Sequence, residues 1–158
     1  MDEPLVDVLS TKAMRMKSIK ETNYIEELIK DDEITTISKI NPKDKDNFII
    51  QSKLNQLTNE IWVSLRNYPK FERNGLTLMI KTELVNMSAL LNHGRYVKST
   101  RNSDYKEFHY GVERLKSMID ISFNQRYIGL GFYKKLILEI EELGKMISTL
   151  LKNSNNKK

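Results

Sequence analysis

The pattern of apolar and polar positions after residue 48 is that of amphipathic helices. Two stretches, 50–65 and 132–150, place an apolar residue at every third or fourth position, which keeps these residues on one helix face. The first face consists of Ile50, Leu54, Leu57, Ile61 and Leu65. The second consists of Phe132, Leu136, Ile140, Leu143, Ile147 and Leu150. Both stretches are predicted to be helices with one buried side.

Two further helices are predicted between these stretches. One begins at Leu76, and we expect it to continue past Gly94 because the following residues keep a helical pattern as far as Lys98. The next begins at Asp104, where an acidic side chain followed three residues later by Glu107 has the spacing of a capping box. It is expected to end near Arg126.

Short connections are predicted at 66–71, 99–103 and 127–131. Pro69 disfavours helix at the preceding residue and marks the first of them. Four helices with short connections favour an all-α fold, namely an antiparallel up-down-up-down four-helix bundle. In that arrangement the first and third connections lie at one end and the second at the other.

The chain is expected to divide near residue 48. Residues 1–48 contain 8 Lys/Arg and 11 Asp/Glu, so they form an acidic N-terminal arm, partly helical or flexible. Within it, 41–47 interrupt the apolar pattern and are interpreted as a linker or exposed loop. The arm is either a tail, a docking segment for a partner, or a lid on the bundle. Residues 49–152 form the predicted bundle, and 153–158 a disordered tail.

The predicted bundle carries an excess of positive charge. Residues 49–158 contain 18 Lys/Arg and 10 Asp/Glu, a balance that makes a polyanion a natural partner. There is no cysteine, and no apolar run approaches the roughly 18 residues that a membrane helix needs. We therefore expect a cytoplasmic protein that does not enter a membrane.

Candidate catalytic chemistry is sparse. Neither His93 nor His109 lies in a metal-binding pattern, and no nucleophile, base and acid can be assembled from the sequence. The prediction is a protein that is not an enzyme, with no metal and no cofactor.

The basic residues around the connections are the candidate nucleic-acid contacts, since Arg and Lys bind phosphates. They are Arg66, Lys70, Arg73, Arg95, Lys98, Arg101, Arg126, Lys134 and Lys135. Tyrosines among them are candidates for stacking on unpaired bases. These are Tyr68, Tyr96 and Tyr105.

The order of these features resembles a known family. Tyr68-Pro69-Lys70-Phe71-Glu72-Arg73, followed by Leu76 and a helix with Ile80 and Leu84, is similar to the Avd-type (accessory variability determinant) four-helix bundles of diversity-generating retroelements. Phe132-Tyr133-Lys134-Lys135 and the glutamates after it resemble the closing helix of that family. The four-helix proteins encoded in 23S rRNA intervening sequences are more distantly similar, but their Ser-Ile-Pro-Ala-Asn-Ile-Ala-Glu-Gly-like segment is missing.

The resemblance implies a non-catalytic, nucleic-acid-binding accessory protein of a reverse transcriptase. Such proteins form ring-like homopentamers and support mutagenic cDNA synthesis from template RNA. The implied partners are the reverse transcriptase, the template RNA or an RNA–cDNA hybrid, and further copies of the chain. The alternative is a protein-interaction adaptor of a phage or mobile element that does not bind nucleic acid.

Overall fold

A computed structural model describes residues 42–156, with side chains from residue 48 onward. This part of the chain is all-helical. Its four α-helices are α1 (Pro42–Ser64), α2 (Leu76–Tyr96), α3 (Arg101–Asn124) and α4 (Leu130–Asn155). Two short 3₁₀ helices, Leu65–Asn67 and Lys70–Asn74, join α1 to α2. No strand occurs between residues 42 and 156, so the predicted all-α class is confirmed there.

The first helix begins earlier than predicted. The interpretation of 41–47 as a linker or exposed loop is wrong for 42–47, which are helical. Pro42 is the first helical residue, a position where its missing N–H costs no intrahelical hydrogen bond and its fixed φ suits a helix. Residues 1–41, most of the predicted acidic arm, lie outside the described residues.

The predicted apolar faces form the core. All five predicted positions of the first stretch are buried, four in α1 and Leu65 in the 3₁₀ helix that follows it. In α4 the central positions are buried, while Phe132 and Leu150 are partly buried and pack against the core. The buried α4 residues are Leu136, Ile140, Leu143 and Ile147. Phe108, Val112, Leu115 and Ile119 supply the corresponding face of α3. Helical periodicity therefore identified the buried sides of α1 and α4 correctly.

Polar contacts between the helices fix which surfaces are neighbours. Gln51 of α1 donates to Ser88 of α2 at 3.4 Å. Arg114 of α3 pairs with Glu83 of α2, and Lys116 of α3 pairs with Glu141 of α4. Lys53 and Lys135 join α1 and α4 through Glu142 and Glu60. Each helix thus contacts two others.

The end of α2 follows the prediction closely. The helix continues through Gly94 and stops at Tyr96, two residues before Lys98. Gly94 is buried against Tyr105, and a Cβ at this position would lie 2.6 Å from Tyr105 Cε1. The glycine therefore allows α3 to approach α2 closely and does not end the helix.

The start of α3 differs from the prediction. The helix begins at Arg101 with Thr100 in the capping position, so the assignment of Asp104 as the N-cap is wrong. Asp104 lies one turn inside the helix, where its Oδ2 is 2.6 Å from His93 Nδ1 and accepts a bond from Thr100 Oγ1 at 2.8 Å. The carboxylate joins two helix ends instead of capping one.

The last helix is longer than expected at both ends. It begins at Leu130 and reaches Asn155, so the predicted disordered tail is helical over 153–155. Ser154 Oγ donates to Asn102 Oδ1 at 2.7 Å, which attaches the last turn to the beginning of α3. None of the helices within 42–156 combines the length and the apolar character that a bilayer-spanning segment requires.

Candidate nucleic-acid interface

The corner between α1 and α2 is held by buried side chains. Leu65 and Tyr68 are buried, and Tyr68 adopts an extended backbone (φ −70°, ψ 149°), as the residue before a proline does. Glu72 Oε2 accepts a hydrogen bond from the Leu76 N–H at 2.8 Å and so satisfies a free donor at the start of α2. The corner is therefore an ordered connection whose side chains have defined positions.

The first and third connections meet at this corner. Glu72 Oε1 accepts a bond from the Tyr127 hydroxyl at 3.2 Å, and the rings of Tyr68 and Tyr127 lie 5.1 Å apart. Arg126, beside Tyr127, has a φ of 63°, an uncommon conformation for a residue that is not glycine. The expectation that these two connections lie together agrees with the contacts.

A cationic groove of about 340 Å³ opens on the outer side of the corner. It is lined by three of the predicted phosphate-binding residues, Arg66, Lys70 and Arg73, together with Lys81 from α2. The rest of its wall consists of Trp62, Leu65, Tyr68, Pro69 and Thr77, and no acidic residue of the described chain lines it. We call this site the corner groove.

No described side chain forms an ion pair with the four cations of the corner groove. Within residues 48–156, none of Arg66, Lys70, Arg73 and Lys81 forms an ion pair. The two arginines and Lys70 are exposed, and Lys81 is half-buried. Unpaired cations in one concave surface raise the local potential and attract an anionic ligand.

Lys81 also contacts an aromatic ring in the groove. Its Nζ lies 4.8 Å from the centre of the Trp62 ring, a cation–π distance. This contact was not predictable from the sequence, because Lys81 and Trp62 lie on different helices.

The remaining predicted cations of this end do not line the corner groove. Arg126 and Lys134 are exposed beside the third connection. Lys135 is engaged with carboxylates, at 3.3 Å from Glu60 Oε2 and 3.9 Å from Glu139 Oε1. Lys135 is therefore a weaker candidate for phosphate contact than the sequence suggested.

Glu60 and Glu139 themselves form a close carboxylate pair. Burial raises the pKa of Glu139, and a hydrogen bond with Glu60 raises it further, while Lys135 acts in the opposite direction. Both side chains are about a quarter exposed or less. Burial and the contact with Glu60 therefore favour the protonated form of the Glu139 carboxyl.

The second connection carries the other predicted cations. Arg101 Nε donates to the Gly94 carbonyl at 2.7 Å, and Nη2 donates to the Arg95 carbonyl at 2.8 Å. These bonds satisfy carbonyls at the end of α2 that have no partner inside the helix. Lys98 is exposed, and the Arg95 guanidinium lies 5.4 Å from the Tyr96 ring. Arg101 thus has a structural role here.

The three tyrosines proposed for base stacking differ in how much of each side chain is exposed. Tyr68 and Tyr105 are only 7% and 2% exposed, so their ring faces are covered and the stacking assignment is wrong for both. Burial also raises the pKa of Tyr68, with the Ser122 hydroxyl acting in the opposite direction. Tyr96 is 74% exposed and keeps a free surface.

Histidine and carboxylate side chains are the metal ligands present among the described residues. No group of three or more His, Asp or Glu side chains in this part of the chain is arranged to hold a metal ion. His93 Nδ1 lies close to Asp104 and 3.2 Å from Thr100 Oγ1, in a polar cluster that joins α2 to α3.

Comparisons with known proteins do not assign the chain to a family. No model of a known protein family, no curated protein and no solved structure matches the chain.

Proposed function

We propose that this protein is a non-catalytic nucleic-acid-binding helical bundle that holds phosphates in the corner groove. The observation that carries the proposal is the set of four unpaired cations, Arg66, Lys70, Arg73 and Lys81, in one groove without an acidic wall residue among those described. Arginine offers a planar fork for phosphate oxygens, and lysine adds point charge.

The relative direction of the four helices is part of the same proposal. We propose an antiparallel up-down-up-down bundle, and the contact pairs support it because their numbers run in opposite directions. Between α2 and α3, Glu83 contacts Arg114 whereas Gly94 contacts Tyr105. Between α3 and α4, Lys116 contacts Glu141 whereas Asn102 contacts Ser154.

The resemblance to Avd-type proteins supports a more specific role. In this role the bundle is a cytoplasmic accessory protein of a retroelement reverse transcriptase and holds template RNA or an RNA–cDNA hybrid near the polymerase. A ring-like homopentamer would repeat the corner groove on each subunit, and linked sites multiply modest contacts by raising effective concentration.

One surface favours a second candidate, a protein-interaction adaptor that does not bind nucleic acid. Phe71, Leu78, Met79 and Val85 are between 50% and 76% exposed along the corner and α2. Exposed apolar residues on one helix are typical of a protein interface. An adaptor would use this surface and would leave the cations without a ligand.

The experiment that tests the proposal is binding of full-length protein to a labelled RNA across a salt series. The variant R66Q/K70Q/R73Q removes three groove cations, and the control K106Q/K145Q/K152Q removes three exposed, unpaired lysines elsewhere. The groove variant is expected to lower the slope of log affinity against log salt by about 2, and the control to lower it less. Absence of RNA binding by the unaltered protein would favour the adaptor.

A further inference from the structure

Trp62 lies where two grooves meet. The corner groove is on one side of it, and on the other a second groove of about 750 Å³ runs between α1 and α2. Trp62 and Arg66 line both grooves. The indole is 37% exposed, so part of its surface is available to a ligand that occupies either groove.

The second groove differs chemically from the corner groove. Its polar lining consists of side-chain amides and hydroxyls, and its apolar lining includes Val63 and Val85. The amides are those of Asn55, Asn59 and Asn92, and the hydroxyls are those of Thr58 and Ser88. Arg66 is the one charged residue among the described lining residues. Amides both donate and accept hydrogen bonds, as base edges do, and the apolar surface suits base faces.

The corner groove is therefore positively charged, whereas the second groove is mostly neutral. A nucleic-acid strand has the same division, because its phosphates are charged and its bases are flat and neutral. In a duplex the bases are stacked on one another and paired, so their faces and pairing edges are not available. A single strand can place a phosphate among the cations and an unpaired base on the neutral side of Trp62.

From this arrangement we infer that the site takes single-stranded nucleic acid and that Trp62 is its base-stacking residue. The inference rests on the proposed function and names the ligand class of the same site. Lys81 Nζ, 4.8 Å from the centre of the Trp62 ring, occupies the position of a cation over an aromatic face. An arriving base replaces the ammonium on the ring, and Lys81 then pairs with a phosphate of the same strand.

This exchange is favourable at an exposed site. A cation–π contact there is weaker than stacking of a base on an aromatic side chain. The lysine gains a charge partner in the bound state, because the ligand brings a phosphate with each base. Trp62 replaces the buried Tyr68 as the stacking ring at this end of the protein.

The chain contains a single tryptophan beside seven tyrosines, so fluorescence excited at wavelengths where tyrosine does not absorb reports on Trp62 alone. We would titrate the full-length protein with a single-stranded oligonucleotide of mixed sequence and with the blunt duplex of that sequence. The expected result is saturable quenching and a shifted emission with the single strand. The duplex is expected to bind more weakly and to change the emission little.

The affinity of each variant for a labelled single-stranded oligonucleotide is then measured. Trp62→Leu should weaken single-strand binding by roughly 5- to 100-fold, and Trp62→Phe should lose much less because a ring is retained. The matched control is Tyr110→Leu, which removes another exposed aromatic ring and should leave the affinity unchanged within about twofold.

The outcomes separate this inference from the proposed function. Salt-dependent binding with equal affinity for single strand and duplex, and no loss in Trp62→Leu, would overturn the inference and leave the phosphate-binding proposal in place. A Trp62→Leu variant that binds normally but changes oligomeric state would assign Trp62 to a subunit contact and also overturn it. Absence of any nucleic-acid binding would defeat the proposed function itself.

Discussion

Arg114 donates from Nε and Nη2 to the two carboxylate oxygens of Glu83, at 3.0 and 3.1 Å. Glu83 is almost fully buried on α2, whereas Arg114 on α3 is half-exposed and also donates to Glu107. A charge that leaves water is tolerated when it is paired and fully hydrogen-bonded. The guanidinium therefore satisfies a carboxylate that α2 buries against its neighbour.

Removal of Arg114 should destabilise the protein. Arg114→Met keeps the aliphatic stem and leaves the Glu83 carboxylate without its two donors, so we expect a loss of about 1–3 kcal/mol in the free energy of unfolding. Urea denaturation followed by circular dichroism measures this. The control Lys106→Met removes an exposed, unpaired cation from the same helix and should change stability by less than about 0.5 kcal/mol. Equal losses in both variants would contradict the role of the pair.

The Glu60–Glu139 pair predicts a dependence of stability on pH. The pKa of Glu139 is raised in the folded protein, so the folded state binds its proton more tightly than the unfolded state does. The contribution is fully present below the unfolded pKa and is lost as pH rises through the folded pKa. Protonation of Glu139 therefore stabilises the fold in mildly acidic solution.

Glu139→Gln should make that contribution independent of pH, because the amide resembles the protonated carboxyl. At neutral pH we expect a more stable protein than the unaltered one, with a smaller advantage near pH 4. Thermal unfolding at several pH values from mildly acidic to neutral checks this. Glu113→Gln, an exposed position on α3, is the control. A stability gain in the control of the same size and pH profile would refute the special role of Glu139.

Much of the fold was predictable from local periodicity. The spacing of Ile50 to Leu65 and of Leu136 to Ile147 identified buried faces, because a helix places every third or fourth residue on the same side. The extent of α1 at its start was not predictable, since 42–47 have no apolar face to reveal a helix. Helix ends also depend on contacts made outside the helix, and near the start of α3 the Asp104 carboxylate contacts His93 of α2.

The candidate site was predictable only in part. Arg66, Lys70 and Arg73 are close in sequence, so their clustering at one corner followed from chain order. Lys81 could not be assigned, because its place beside Trp62 depends on the packing of α2 against α1. The stacking assignments of Tyr68 and Tyr105 were wrong because tyrosine, with an apolar ring and a polar hydroxyl, suits the edges of a core as well as a surface.

Two helical glycines should respond oppositely to alanine. A Cβ at Gly94 would lie 2.6 Å from Tyr105 Cε1 and 3.2 Å from Asp104 Cβ, whereas nothing lies within 4 Å of a Cβ at Gly131. Gly94→Ala is expected to cost about 1–3 kcal/mol through overpacking. Gly131→Ala should stabilise by up to about 1 kcal/mol, because alanine favours the helix. Chemical denaturation of both variants checks the signs, and a stabilised Gly94→Ala would exclude the close packing of α2 on α3.

Arg101 should be required for stability rather than for binding alone, in contrast to its neighbour Lys98. Its guanidinium donates to the carbonyls of Gly94 and Arg95, so Arg101→Met leaves two acceptors at the end of α2 without these partners. We expect a loss of about 1–2 kcal/mol in unfolding free energy, since each net hydrogen bond contributes about 0.5–1.5 kcal/mol. Lys98→Met removes one charge from the same connection and should leave stability unchanged. If both variants unfold at the same urea concentration as the unaltered protein, Arg101 acts only through its charge, and its place among the candidate phosphate ligands is strengthened.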